Sequence, residues 1–206
     1  MLRILGRPSS LNVRKVLWTC DELNLAYDRE DWGVGFRPVD TAEFLALNPN
    51  GQIPVLIDGD VTLWESNTII RYLANRHGPQ LYPSEPVARA HVDQWLDWQA
   101  TDLNAAWVYA FLALARRAPG YDDSGRIEAS VTAWNRVMAI LAGQLTKTGG
   151  YVSGPQFRLS DIAIGLAVHR WVATPLAHAD LPQVRAYYDR LMQRPAFRTY
   201  ARSDWP

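Results

Sequence analysis

The sequence is poor in cysteine and in long apolar runs. Its 206 residues contain one cysteine, Cys20, so no disulfide can form within the chain, which favours a reducing compartment. No stretch approaches the roughly 18 uninterrupted apolar residues of a membrane-spanning helix. The amino-terminal MLRILGRP also lacks the apolar run of a signal peptide. We therefore expect a cytoplasmic protein without a membrane partner.

An excess of positive charge and the common cofactor motifs are also missing. Lys and Arg number 21 and are balanced by 21 Asp and Glu. A nucleic-acid surface needs clustered excess positive charge, so we expect no nucleic-acid partner. The sequence has neither a P-loop nor a dinucleotide-binding fingerprint. The four histidines have no metal-ligand spacing, and we expect no metal. They are His77, His91, His169 and His178.

The first 78 residues alternate between strand and helix patterns. Residues 2–5 form a short apolar run, which is followed by helical spacing from residue 13 to 23 and by an extended segment at 26–31. A strand, a helix and a strand suit a parallel crossover. Further on, Asp58-Gly59-Asp60 separates two apolar runs, which predicts a hairpin. A helix then runs from Ser66 to Gly78. We therefore expect an α/β unit with a mixed sheet.

The second half has helical patterns throughout. Residues 79–86 are expected to be a linker, in which Ser84 can cap the next helix and Pro86 suits its first turn. We predict an all-helical domain over residues 87–206. Its first helix is expected to continue to about residue 117, and another helix begins near Ser160, which is expected to cap it. This organisation, an α/β unit followed by an all-α unit, is the predicted fold class.

Three local features allow a structural or a functional interpretation. Ser9 and Ser10 lie at a strand-to-helix turn, where a serine is either an N-cap or a hydroxyl held out for chemistry. Pro54 cannot lie in a central strand. It either begins a strand with a trans bond or follows a cis bond that turns the backbone of Ile53 outward, ready for strand addition. Ser66 caps a helix or helps to bind an anion at its N-terminus.

Together these features resemble a known family. The turn with Ser10, the stretch NPNGQIPVL and the stretch LWESNTIIRYL look like the N-terminal domain of a cytosolic glutathione transferase. The resemblance covers about residues 1–78 and implies a thioredoxin-like fold. The spacing between Ser10 and Arg14 resembles the serine-type classes, such as theta, phi and delta. By that match Ser10 is the catalytic candidate, with Ser9 and Asn12 as alternatives.

The resemblance also implies the other roles at the site. Pro54 would follow a cis bond, and the backbone of Ile53 would pair with the cysteine part of glutathione. Glu65 and Ser66 would hold the γ-glutamyl end, and Gln52 would assist. The glycine carboxylate would meet a basic residue in the 36–40 region. Arg37 is the positively charged residue there.

The resemblance finally implies a homodimeric enzyme with glutathione as cosubstrate and no metal. Ser10 would stabilise the glutathione thiolate for attack on a small hydrophobic electrophile, as in detoxification. Trp107 and Phe111 are candidate walls of the electrophile pocket, and helix core is the competing interpretation. Peroxide reduction and a non-catalytic binding protein remain alternatives. Cys20 falls on the apolar face of its helix and is expected to be inert.

Overall fold

The structure is a computed structural model that describes residues 1–202 and residue 204. The chain divides into two compact units, Met1–Ser84 and Glu85–Pro206. The division falls within the stretch 79–86 that the sequence marks as a linker. Three residues of the predicted helical domain lie outside the described residues, namely Ser203, Trp205 and Pro206.

The first unit contains a mixed sheet with helices, as the sequence pattern predicts. Its strands are β1 (Leu2–Leu5), β2 (Tyr27–Glu30), β3 (Val55–Asp58) and β4 (Val61–Trp64), and its helices are α1 (Leu11–Glu22), α2 (Ala42–Leu47) and α3 (Ser66–His77). The strand order is β2-β1-β3-β4. β1 pairs in parallel with β2, and the other two pairings are antiparallel. The parallel pair is joined through α1, because a parallel connection needs a crossover.

The predicted hairpin is formed by β3 and β4. Asp58 pairs with Val61, so Gly59 and Asp60 form a two-residue loop. Gly59 has a φ of +60°, which the hairpin turns of this length require and which glycine adopts without steric cost. The Asp-Gly pair between two apolar runs therefore sets both the turn and the register.

A small apolar core in the first unit supports the loop before β3. Leu5, Trp32, Phe44 and Val55 form a buried cluster, in which the ring centroids of Trp32 and Phe44 are 5.0 Å apart. The side chain of Ile53 packs against this cluster. The backbone of the loop is thereby anchored next to the sheet.

The described part of the second unit is helical apart from its loops and an isolated β-bridge between Tyr151 and Gly154. Its helices are α4 (Pro86–Trp98), α5 (Asn104–Leu114), α6 (Ser124–Thr148), α7 (Leu159–Ala173), α8 (Pro182–Met192) and α9 (Pro195–Tyr200). In α7 every residue from Leu159 to Trp171 is buried. A helix that is buried on all sides belongs in the interior, and α7 lies at the centre of this unit.

Two predicted helix caps are wrong. Glu85, not Ser84, caps α4, because its carboxylate accepts hydrogen bonds from the N–H groups of Val87 at 3.0 Å and Ala88 at 2.7 Å. These bonds lower the pKa of Glu85. At α7 the Ser160 hydroxyl lies 2.6 Å from that of Ser153 and caps nothing. The N-cap position of α4 falls on Glu85, whose backbone is extended (φ −66°, ψ 127°), so Ser84 lies one residue outside the helix.

A π-helical turn, Gln99–Leu103, interrupts the long helix predicted over residues 87–117. Gln99 is fully buried and donates from Nε2 to Asn104 Oδ1 at 2.9 Å. The same oxygen accepts a hydrogen bond from Trp107 Nε1 at 3.0 Å. The turn therefore connects a buried polar group to one of the candidate pocket residues, and such turns are frequent at functional sites.

Candidate functional site

A polar cleft opens in the first unit where the start of α1, the loop before β3 and the start of α3 meet. The residues that line this polar cleft are Asn12, Asn48, Asn50, Gln52, Ile53, Pro54, Glu65 and Ser66. Five of the residues that the family resemblance assigns to glutathione binding are therefore brought together. Arg37, the remaining one, does not line the cleft.

The loop of the cleft is held by a buried asparagine that the sequence analysis missed. Asn48, 3% exposed, donates from Nδ2 to the carbonyl oxygen of Gln52 at 2.7 Å. Its Oδ1 accepts from the N–H of Asn50 at 3.0 Å. The available signal was the NPNG sequence, since an Asn side chain often bonds the backbone two residues further on.

The peptide bond between Ile53 and Pro54 is cis, as the resemblance implies. The pairing of β3 with β1 begins at Val55, so Pro54 stands just before the ladder. Its missing N–H therefore costs no ladder hydrogen bond. Ile53 lines the cleft at the end of the sheet, where an extended peptide could pair with its backbone.

The start of α3 has an unusual backbone. Glu65, not Ser66, occupies the N-cap position, with φ of 70° and ψ of 108°. A glutamate at positive φ is strained, and residues of this kind concentrate at functional sites. The Glu65 side chain is exposed and makes no capping hydrogen bond, and the first turn of α3 contains no acidic residue. The positive end of the helix is thus directed at the cleft beside a carboxylate.

Ser10 occupies the N-cap position of α1, but its hydroxyl is not used as a cap. Its carbonyl oxygen accepts the hydrogen bond from the N–H of Arg14 at 2.9 Å, whereas its side chain makes no capping hydrogen bond. Ser10 is half-buried, and the exposed Asn12 is the residue of this turn that lines the cleft. Ser9 is half-buried as well, so Ser10, Ser9 and Asn12 all stay candidates for the thiolate donor.

Arg37 is engaged away from the cleft. Its Nη1 donates to Glu30 Oε2 at 3.1 Å, and its guanidinium lies 5.4 Å from the ring centroid of Trp32. Glu30 also accepts a bond from Arg3 at 2.6 Å, and this bond, together with the charges of Arg3 and Arg37, lowers the pKa of Glu30. The cluster ties β1, β2 and the following loop together.

Trp107 and Phe111 lie together on α5 in an aromatic cluster. Their ring centroids are 5.2 Å apart, and the guanidinium of Arg170 lies 4.4 Å from the first ring and 4.1 Å from the second. Phe111 is only 4% exposed, while Trp107 is half-buried. Phe111 thus offers little surface to a ligand, and Trp107 is the better candidate for a pocket wall.

Other chemistry has little support in the described residues. Cys20 is fully buried, and burial raises the pKa of its thiol to about 12, with the charge of Asp21 adding to the effect. It is therefore a poor nucleophile. Within residues 1–202 and 204, no group of three or more His, Cys, Asp or Glu could hold a metal ion. No helix in this range has the length and apolar character needed to cross a membrane.

Comparison with known proteins identifies the same family of proteins that the fold and the residues of the cleft indicate. Residues 9–76 match the family model "Glutathione S-transferase, N-terminal domain". The chain is 37% identical to glutathione S-transferase GstB of Escherichia coli K12 over 201 residues, which cover 96% of each chain. It is 30% identical to glutathione S-transferase 3 of Zea mays over 204 residues, 95% of this chain and 91% of the relative. The chain belongs to the glutathione S-transferase family.

Solved structures support the same family assignment. A theta-class glutathione S-transferase from Xanthomonas axonopodis pv. citri, solved with glutathione bound, superposes with a TM-score of 0.91 at 38% identity, covering 97% of this chain and 96% of the other. Glutathione transferase F7 of Populus trichocarpa superposes with a TM-score of 0.86 at 28% identity, with 99% of each chain covered. The expected fold class, a thioredoxin-like unit followed by a helical unit, is confirmed, and the protein is a bacterial-style glutathione S-transferase.

Proposed function

We propose that this enzyme binds glutathione in the polar cleft and joins it, through its thiolate sulfur, to a small hydrophobic electrophile. The observation that carries the proposal is the convergence of Gln52, Ile53, Pro54, Glu65 and Ser66 on one cleft. The solved relative from Xanthomonas holds glutathione on the same fold. The thiol gives up its proton and the thiolate sulfur bonds to an electrophilic carbon, which either loses a leaving group with its electron pair or, where a double bond is attacked, takes up a proton on the neighbouring atom; no protein atom becomes covalently attached.

The start of α3 offers both a negative group and hydrogen-bond donors, which suit the γ-glutamyl group. This group carries an α-ammonium and an α-carboxylate. The exposed carboxylate of Glu65 would pair with the ammonium, and Ser66 with the N–H groups of the first turn would hold the carboxylate. A zwitterion is thus met by both charges at once, which favours an amino acid over a simple anion.

The rest of the peptide would extend along the loop before β3. The backbone of Ile53 would pair with that of the cysteinyl residue, in the manner of an added strand. Gln52, which also lines the cleft, would assist in holding the peptide. Arg37 remains the basic candidate for the glycine carboxylate, but it would first have to leave Glu30, 3.1 Å away. The amides of Asn50 and Gln52, which line the cleft, compete for that role.

The thiol must lose its proton before it can attack. A free thiol has a pKa near 8.5 and is mostly protonated at pH 7, and a hydrogen bond to the anion favours the thiolate. The Ser10 hydroxyl, which makes no capping bond, would donate it. Lowering the pKa by about two units requires only about 2.7 kcal/mol of differential interaction. One hydroxyl bond and a nearby helix N-terminus are of this order.

Trp107 would form part of the electrophile pocket, and Phe111 would support it from the core. We further propose a homodimer, in keeping with the family, and glutathione chemistry that needs no metal. The electrophile would be small and apolar, since an indole face offers dispersion contacts rather than ion pairing.

The decisive experiment is a pH titration of thiolate absorbance for bound glutathione. We expect the bound thiol to titrate about two pH units below free glutathione in the wild type. Ser10→Ala should abolish that shift, while Ser9→Ala, a half-buried serine one position away, should not. If Asn12→Ala or Ser9→Ala abolishes the shift instead, that residue is the donor.

The same measurement separates the alternatives. Glutathione that binds with an unshifted thiol would indicate a non-catalytic binding protein and would refute the proposed activation. Turnover assays with 1-chloro-2,4-dinitrobenzene and with cumene hydroperoxide then distinguish conjugation from peroxide reduction. Peroxide turnover without conjugation would contradict the proposed reaction while leaving glutathione binding intact.

A further inference from the structure

A buried lysine lies behind the first turn of α3. Lys15, on α1, is 2% exposed. Its Nζ donates to Asn67 Oδ1 at 3.0 Å and lies 3.5 Å from Ser66 Oγ. Ser66 and Asn67 are the first two residues of α3, and they are 6% and 8% exposed. The ammonium therefore sits directly beneath the part of the cleft that would receive the γ-glutamyl carboxylate.

The electrostatics of this arrangement favour an anion. The N-terminus of a helix carries a partial positive charge, and it is stabilised by acidic groups in the first turn. The first turn of α3 has no acidic residue and instead has an ammonium next to it. Two positive groups of this kind raise the potential at the same point. A buried charge is screened little by solvent, so its effect persists at physiological salt.

The hydrogen-bond chemistry points the same way. A lysine ammonium has three donors and no acceptor. At 3.5 Å its contact with Ser66 is long, but in it the serine oxygen can only be the acceptor. The hydroxyl hydrogen of Ser66 is therefore directed away from Lys15 and can be donated to a ligand oxygen. The bond to Asn67 holds the neighbouring side chain in place.

We propose that Lys15 is a positioning residue for the α-carboxylate of the γ-glutamyl group. It acts through Ser66 and the α3 N-terminus rather than by touching the peptide, and it makes the cleft selective for an amino acid end that retains its carboxylate. The inference rests on the proposed function, because it presupposes that the polar cleft binds glutathione.

The test compares two peptides on each variant by isothermal titration calorimetry. One is glutathione, and the other is 4-aminobutyryl-cysteinylglycine, which keeps the ammonium but lacks the α-carboxylate. Lys15→Met should weaken glutathione binding about tenfold, corresponding to about 1.4 kcal/mol. The same substitution should weaken binding of the decarboxylated peptide by less than about twofold, because that peptide lacks the carboxylate on which the Lys15 charge acts. Lys15→Arg keeps the charge and should largely retain the preference for glutathione.

A matched control is available, because Lys147, the other lysine of the chain, is exposed in the last turn of α6. Lys147→Met should leave both affinities unchanged. If Lys15→Met weakens both peptides equally, or neither, the inference is overturned, since a purely structural role acts on both ligands alike. If the wild type does not bind glutathione, the proposed function itself fails.

Discussion

Replacing Asp161 by alanine should destabilise the helical unit through the loss of three hydrogen bonds. Asp161 is the third residue of α7 and is fully buried. Its carboxylate accepts from the N–H of Val152 at 2.9 Å, the N–H of Arg158 at 2.8 Å and the hydroxyl of Tyr187 at 3.0 Å. These bonds join the start of α7 to the preceding loop and to α8.

The expected magnitude follows from two opposing effects. A buried donor that loses its acceptor costs about 1–3 kcal/mol, and the variant leaves three such donors. On the other side, burial raises the pKa of Asp161 to about 6, which shows that the ionised carboxylate is itself unfavourable there. Removing the carboxylate also removes the cost of burying its charge, which offsets part of the lost stability. We therefore expect a net decrease of about 2–3 kcal/mol in the free energy of unfolding.

The assay is urea unfolding followed by circular dichroism at pH 8, where the carboxylate is ionised. In thermal unfolding, a loss of this size should lower the melting temperature by roughly 5–10 °C for a chain of this length. Asp180→Ala is the control, because that side chain is 89% exposed and its ion pair with Arg185, at 3.5 Å, is a surface contact. We expect a change within about 0.5 kcal/mol. A loss below about 1 kcal/mol for Asp161→Ala would refute the reasoning.

Three further predictions concern the first unit. Cys20 should not react with a disulfide reagent in the folded protein at pH 8, because burial raises the pKa of its thiol to about 12, and it should react on unfolding in urea; reaction at the rate of a free thiol contradicts this. Gln52→Ala should weaken glutathione binding more than Arg37→Ala in calorimetry, because only the first residue lines the cleft; the reverse order would restore Arg37 as the carboxylate partner. Since the bond from Arg3 lowers the pKa of Glu30, its contribution to stability is complete above about pH 5 and is lost as the pH falls. Glu30→Gln should therefore cost more stability at pH 7 than at pH 3, as unfolding midpoints at the two pH values would show.

The elements of the fold were largely predictable because their signals are local. The Asp-Gly turn placed β3 and β4, and apolar spacing placed α1 and α3. The π-helical turn Gln99–Leu103 was not predictable, because one extra residue in a turn leaves the apolar pattern almost unchanged. The cap of α4 was assigned to Ser84 instead of Glu85, since either residue can cap and only the backbone geometry selects between them.

The site was predictable only where residues act through their position in a motif. The motif residues from Gln52 to Pro54 and the pair Glu65-Ser66 do meet in one cleft. A charged group at the end of a long, flexible side chain is a different case. Arg37 is the positive charge of its segment, but contacts with Glu30 and Trp32, which precede it by only a few residues, hold it elsewhere. Both partners are near in the sequence, but the direction in which a long side chain turns depends on the folded backbone, which the local pattern does not specify.

The missed residues share one physical property, which is that they are polar and buried. Asn48 and Lys15 resemble surface residues in a sequence pattern, because polar side chains are mostly exposed. Both are nevertheless buried, and each bonds a segment of the cleft, the first to Gln52 and the second to Asn67. Burial of a polar group is costly unless it is paired, so such pairs hold their segments in a single arrangement. The cleft is therefore built before any ligand arrives, and its specificity should depend on these buried pairs as much as on the residues that touch the peptide.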